Sequence, residues 1–439
     1  MEGKASCGVV LLLGIALIGC RQSPRDAVAL QYAYSWNEDR PQERARLQQF
    51  TQETGIRVTN IPIPEASREY VDLARKLLKD GSGPDLLNVD LIWTPVLEPD
   101  LIDLRPYLAS EIALLDPQLL RSYSVNGKLV AVPFNVPLGG LAYRTDLLRE
   151  YGYVHPPRTW DELESMAERI QTGERAKGKK DFWGYVWQGN AAESLTCNAL
   201  EWQVAAGGGR IIERDRTISV NNPAAIAAWQ RARHWIGWIS PPGVVSYREA
   251  DSMLVFDSGR AAFNRIWILT PMSRKGQARQ IGWRSTLPAL ETGLSRLPGG
   301  SEESAGTLGG TGTGISLHST HRQEAIALLR YQLRSLIDEG EKGGGLGAAN
   351  LVELSNPPSI FDPLSAKSSK QLSSVIVDRP SIETGSAYKT VSQAYSDAVH
   401  SVLIGEKSAP QAAAELERQL IEITGFRPGP PRTTNDKIE

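Results

Sequence analysis

The stretch from residue 28 to residue 90 alternates between two repeating patterns, and this constrains the fold more than any other feature. Val28-Ala-Leu-Gln-Tyr-Ala-Tyr34 reads as a strand. Pro41 suits the first position of a helix, where its missing N–H costs nothing, and Gly55 suits the helix end. Residues 56–63 form a second strand pattern, and Tyr70, Leu73, Leu77 and Leu78 then share one face of a helix ending at Gly81. The run Pro84-Asp85-Leu86-Leu87-Asn88-Val89-Asp90 lacks polar alternation, as a parallel strand covered on both faces requires. Strand, helix, strand, helix, strand within about sixty residues is a doubly wound α/β unit.

The N-terminus dictates where such a unit would work. Residues 9–18 are strongly apolar and follow Met1-Glu2-Gly3-Lys4. A bilayer span needs roughly 20 such residues, so this shorter stretch reads as a secretory signal over 1–19. It closes on Leu17-Ile18-Gly19-Cys20, which resembles a bacterial lipobox. In that motif the chain is cut before the cysteine and the thiol is acylated, so Cys20 is expected to carry lipid, with residues 20–27 as a polar tether. Two or more acyl chains hold a protein stably on a membrane. Cys7 leaves with the signal, which makes Cys197 the last thiol, and a single thiol closes no internal disulfide. Cys197 reads as a small buried residue rather than a nucleophile.

A length of 439 residues predicts two or three domain-sized units. The net charge of −2 excludes an electrostatic footprint for nucleic acid. Beyond residue 140, Pro156-Pro157-Arg158-Thr159-Trp160-Asp161-Glu162-Leu163 sets Thr159 and Glu162 at capping-box spacing. Further helices are expected over 224–238, 322–337, 388–403 and 410–423. Glycine-rich stretches at 306–314 and 340–347 interrupt the second half, and the tail from Arg427 reads as frayed.

Catalytic chemistry finds little support. The five histidines, His155, His234, His318, His321 and His400, show no metal-ligand spacing, and no G-x-S-x-G elbow is present. The glycine run Gly306-Thr-Leu-Gly-Gly-Thr-Gly-Thr-Gly314 lacks the Lys-Ser/Thr of a phosphate loop. No catalytic residue, cofactor or metal is assigned. A membrane-anchored glycoside hydrolase with a carboxylate pair is the alternative, because fifty acidic residues leave such a pair open. A purely structural envelope lipoprotein is a third reading, and it explains only the anchor. Eleven tryptophans against seven phenylalanines suit stacking on the apolar faces of sugar rings.

Several segments together resemble the family-1 solute-binding proteins of ABC sugar importers, nearest to their trehalose/maltose-binding subgroup. They are the lipobox, Asn88-Val89-Asp90-Leu91-Ile92-Trp93, Tyr143-Arg144-Thr145-Asp146-Leu147-Leu148 and residues 157–163. Gly184-Tyr185-Val186-Trp187-Gln188-Gly189, residues 259–267 and Arg379-Pro380-Ser381 with Tyr388 complete the set. The resemblance implies an α/β, two-lobed periplasmic-binding-protein fold of type II, its discontinuous lobes joined by a hinge. The lobes are expected at 28–136 plus 308–340 and at 137–307 plus 341–439. The implied partners are a small sugar held between the lobes, the transmembrane subunits of an ABC permease, and the membrane through the anchor. The protein is expected to be an exported monomer in the cell envelope and not an enzyme.

Carried over residue by residue, the resemblance implies ligand contacts from Glu38, Arg68, Asp90 and Trp93 in the first lobe. In the second it implies Trp187 and Gln188 as a platform, Trp267 as the main stacking ring, and Arg379 as a late cation. Asn135 and the Gly310-Thr311 pair stand where departures occur. Asn135-Val136-Pro137 replaces a Tyr-x-Asp pattern, Thr311 replaces a stacking Trp, and Leu269 replaces a Tyr. These changes point to a ligand smaller than trehalose or differently shaped, such as a glucosyl-polyol.

Overall fold

A computed structural model describes residues 28–34, 41–63, 67–79, 83–115, 117–135, 137–268, 290–301, 304–341 and 375–432. The signal at 1–19, Cys20 with its tether, Glu38, Leu269 and residues 342–347 of the second glycine-rich stretch lie outside the described residues.

The early strands are β1 (Ala29–Tyr34), β2 (Arg57–Pro62) and β3 (Leu86–Asp90), followed by a small hairpin of β4 (Ser124–Val125) and β5 (Lys128–Leu129). Then come β6 (Val132–Asn135), β7 (Leu138–Arg144), β8 (Trp183–Val186), β9 (Thr217–Ile218) and β10 (Ala261–Ile268). The late strands are β11 (Thr292–Ser295), β12 (Ala305–Thr307), β13 (Thr311–Ile315), β14 (Val375–Val377) and β15 (Arg427–Pro428).

The first sheet runs β2-β1-β3-β13-β6, with β1 parallel to both β2 and β3, and β13 antiparallel to β3 and β6. The apolar run of β3 is explained by this central place, where its residues are buried through Val89. Helix Pro41–Thr54 supplies Leu47 and Phe50 to the core beneath, and helix Arg322–Glu341 supplies Leu328, Leu329 and Leu333. Helix Ser67–Lys79 turns Tyr70, Val71, Ala74 and Leu78 inward, while Leu73 and Leu77 flank that face half-buried.

A second sheet, β11-β7-β10-β8, has its own core. Helices Trp160–Ala176, Glu193–Ala205, Pro223–Trp235, Tyr388–Leu403 and Ala409–Thr424 surround it. Much of the tryptophan surplus is spent here: Trp160, Trp187, Trp202, Trp229 and Trp235 all lie in this core. Trp187 stands edge-on to Trp202, with ring centroids 5.0 Å apart, and Trp202 stands edge-on to Trp235 at 5.5 Å. Two sheets with separate cores make two lobes. Three chain segments run together at their junction. Leu138 bridges Leu308, the Gly309 N–H donates to Pro137 O (2.9 Å), and the Leu308 N–H donates to Val377 O (3.0 Å).

Local signals have local outcomes. The Thr159 hydroxyl accepts from the Glu162 N–H at 3.2 Å, but the Glu162 carboxylate reaches back to the N–H of Arg158 rather than that of Thr159. The helix expected over 224–238 stops at Trp235, because Ile236 is extended and Gly237 takes a φ of 81°. The tail is not frayed at Arg427. β15 pairs in parallel with β9, and the N–H of Arg432 donates to Glu213 at 3.3 Å. Cys197 is buried, and burial pushes its thiol up to about 12. It therefore stays a neutral thiol at physiological pH.

Candidate functional site

In a doubly wound sheet the crevice for small molecules lies beyond the carboxyl ends of the strands. Asp90 closes β3 at that edge. The register of β13 sets Thr311 opposite Asp90 on one side and opposite Asn135 on the other. Three residues singled out in the sequence thus stand in one row across neighbouring strands, although β13 arrives from far down the chain. Gly310 precedes the row with a φ of 132°, a conformation that favours glycine, and its carbonyl accepts from the N–H of Leu91 at 3.1 Å. The side chains of Asn135 and Arg68 lie outside the description.

Asp90 also begins the short turn Leu91–Trp93, where its Oδ1 accepts from the Ile92 N–H at 3.2 Å. Its side chain keeps 21% of its surface open. Burial pushes the Asp90 carboxyl up from the usual range to about 6. Arg379 and the Ile92 N–H pull it down, and Glu193 adds to the rise.

Arg379 follows β14 and reaches both lobes. Its Nη1 donates to Glu193 Oε1 at 2.9 Å, its Nη2 donates to Leu308 O at 3.2 Å, and Nη2 lies 4.0 Å from Asp90 Oδ1. Glu193, the first residue of helix Glu193–Ala205, also accepts from the Tyr388 hydroxyl and, at 2.6 Å, from the Ser392 hydroxyl. Sequence reasoning missed Glu193, because an acid in a helix's first turn reads as a complement to the helix dipole.

Trp267, half-buried on β10, packs against the segment between β12 and β13, which crosses from one lobe to the other. A side chain on Gly309 would stand 2.9 Å from the indole ring, so glycine is what allows the two to meet. Residues 308–311 therefore gather the site: Leu308 accepts from Arg379, Gly309 underlies Trp267, Gly310 holds Leu91, and Thr311 joins Asp90 to Asn135. The arrangement gathers a part-exposed carboxylate, a threonine and a half-buried indole around a guanidinium whose side chain is only 4% exposed.

The family model for the bacterial extracellular solute-binding proteins matches residues 36–335. This chain belongs to that family. Membership makes it an exported protein. A probable ABC transporter-binding protein of Deinococcus radiodurans is 34% identical over 422 residues, covering 94% of this chain and 98% of the relative. Among solved structures, maltose-bound MalE3 of T. maritima superposes with a TM-score of 0.73 at 28% identity, over 90% of this chain and 100% of that one. A solute-binding protein of Agrobacterium radiobacter K84 in complex with ribitol superposes with a TM-score of 0.69 at 20% identity. It covers 91% of this chain and 100% of its own, and it shows the fold alone.

In this solute-binding protein, three of the expected contact residues are walls rather than surfaces. Trp187 is wholly buried, enclosed by Trp202 and Trp235, and its indole N–H donates to the Ser240 hydroxyl at 3.0 Å. Gln188 is buried too. Its amide donates to the Ser252 hydroxyl (2.7 Å) and to Arg265 O (2.8 Å), and its Oε1 accepts from Asn198 at 3.0 Å. Trp93 is fully covered and stands edge-on to Tyr388 at 5.7 Å. Among the described residues, no helix is long and apolar enough to cross a membrane.

Proposed function

We propose that this protein is the lipid-anchored receptor of an ABC importer. It would capture a small sugar or glucosyl-polyol between its lobes and deliver it to the permease unchanged. The observation that carries the reading is the row Asp90–Thr311–Asn135, set beside Arg379 and joined to Trp267 by residues 308–311. Sugar hydroxyls need charged acceptors and donors on their rim, and sugar C–H faces need an aromatic plane. Maltose in the similar T. maritima structure supports this ligand class. The proposed contacts are Asp90, Gly310, Thr311 and Trp267, with Glu38, Arg68 and Asn135 completing the first lobe's share and Arg379 backing Asp90 from a buried position.

Thr311 in place of a stacking ring forgoes apolar contact of about 0.5–2 kcal/mol and adds a hydroxyl, which favours a smaller or more polar ligand than a long oligosaccharide. A non-enzymatic role is supported by the family, whose members here are binding proteins. The proposed lobes are 28–136 plus 308–340 and 137–307 plus 341–439. Closing them around a sugar would let both sets of contacts form at once.

Acylation at Cys20 would keep the monomer at the membrane face. Growth of the producing cells on a clickable palmitate analogue tests the anchor. The wild-type protein becomes labelled and is cut before Cys20, whereas Cys20→Ser is unlabelled and keeps its signal. A wild type that is cut from its signal but carries no label would overturn the anchor.

A further inference from the structure

One face of Trp267 is already occupied. Arg265, two residues earlier on the same face of β10, sets its guanidinium carbon 4.0 Å from the centre of the indole. Arg265 is itself wholly buried, and a fork to Glu201 fixes it, with Nη2 to Oε1 at 2.6 Å and Nε to Oε2 at 3.1 Å. Nη1 has no hydrogen-bond partner among the described residues. Thr307 on the crossover strand β12 joins the pair. Its N–H donates to Glu201 Oε1 at 3.1 Å, its hydroxyl donates to the same oxygen, and it accepts from Arg265 Nη2 at 3.2 Å. Gly139, which pairs with Trp267 across β7, makes room, because a side chain there would stand 1.9 Å from Glu201 Oε1.

Glu201 lies two turns along the helix that begins at Glu193, with Cys197 between them on the same face. That one helix therefore holds both halves of the proposed site: Glu193 orients Arg379, and Glu201 orients the arginine behind Trp267. We propose that Glu201 and Arg265 are positioning residues. They set the plane of Trp267 and tie it through Thr307 to the crossover, which makes the pocket selective for ring sugars over open-chain polyols. A planar guanidinium gripped by a fork cannot rotate, so the ring stacked on it presents its free face in one orientation. The inference rests on Trp267 as a sugar-stacking residue.

The test compares Arg265→Lys and Glu201→Gln with the wild type in the mature protein, using maltose and ribitol by calorimetry. Each variant is also made in a Trp267→Ala background. Lysine keeps the charge but neither forks nor stacks. We expect about a tenfold loss for maltose in Arg265→Lys, little change for ribitol, and no further loss once Trp267 is absent. Equal losses for both ligands, or the same loss without Trp267, would overturn the proposal. Fluorine NMR of protein labelled with 5-fluorotryptophan gives a readout free of ligand. The Trp267 resonance, assigned from Trp267→Phe, should move in both variants while the core tryptophans hold still. A Trp267 resonance that stays put overturns the positioning role. If the wild type binds no sugar at all, the sugar reading fails and this spectrum still judges the positioning.

Discussion

Asp90 caps the turn at Leu91–Trp93 and is proposed to contact the ligand, and its titration separates the two roles. Its folded pKa of about 6 stands above the ordinary value of 3.8. The folded chain therefore holds the extra proton between those values. This group then lowers stability as pH rises through that window, and the loss is complete above it. A sugar hydroxyl donating to the carboxylate would draw that pKa back down. Binding near pH 6 should therefore release a fraction of a proton, and binding near about pH 8 should release almost none. Calorimetry in buffers of different ionisation heat reads this directly, and Asp90→Asn should abolish it. Arg379, Glu193, Tyr70 and Tyr123 share this environment, so proton uptake in place of release would place the linkage elsewhere. Gly139 belongs to the same scale. Gly139→Ala drives a methyl against a buried ion pair and should cost about 1–3 kcal/mol in chemical unfolding. A cost below about 1 kcal/mol would mean that the pair yields freely.

Among the elements, helix Pro223–Trp235 shows how much one side chain can organise. The Asn222 Oδ1 accepts from the N–H groups of Ala224 and Ala225, each at 3.0 Å, and its amide donates to Gly208 O at 2.9 Å. Asn222→Ala should cost about 1–2 kcal/mol by thermal or chemical unfolding, and a neutral result would show that Pro223 alone starts the helix. Features of this kind were readable in advance because they are local. Proline at a helix start, glycine after its end and the apolar run of β3 need no partner to be recognised. The tail at Arg427–Pro428 was misread because its partner, Thr217–Ile218, is remote and only pairing makes it a strand. The aromatic residues divide the same way. Trp267 was legible as a site candidate, whereas Trp187 and Trp93 carried the same sequence signal and went into cores, because composition does not encode burial. Glu193 and Glu201 were invisible for a related reason, since their arginines come from other strands and loops.

At the scale of the molecule, two separately cored lobes meet along residues 137–138, 305–311 and 375–379, and the candidate site lies on that seam. Such a layout lets a ligand favour one arrangement of the lobes by contacting both, to the extent that its contacts differ between arrangements. The account therefore stands or falls on binding. The mature protein, freed of its anchor by starting after Cys20, would be titrated by calorimetry with trehalose, maltose, sucrose, glucose and glucosylglycerol. The account predicts binding at about 1 μM or tighter, near −8 kcal/mol, to at least one of them, and a weakening of that binding by about tenfold or more in Trp267→Ala and in Asp90→Ala. A folded protein that gives no heat with any of the five, or one that binds equally well without Trp267 and Asp90, would contradict it.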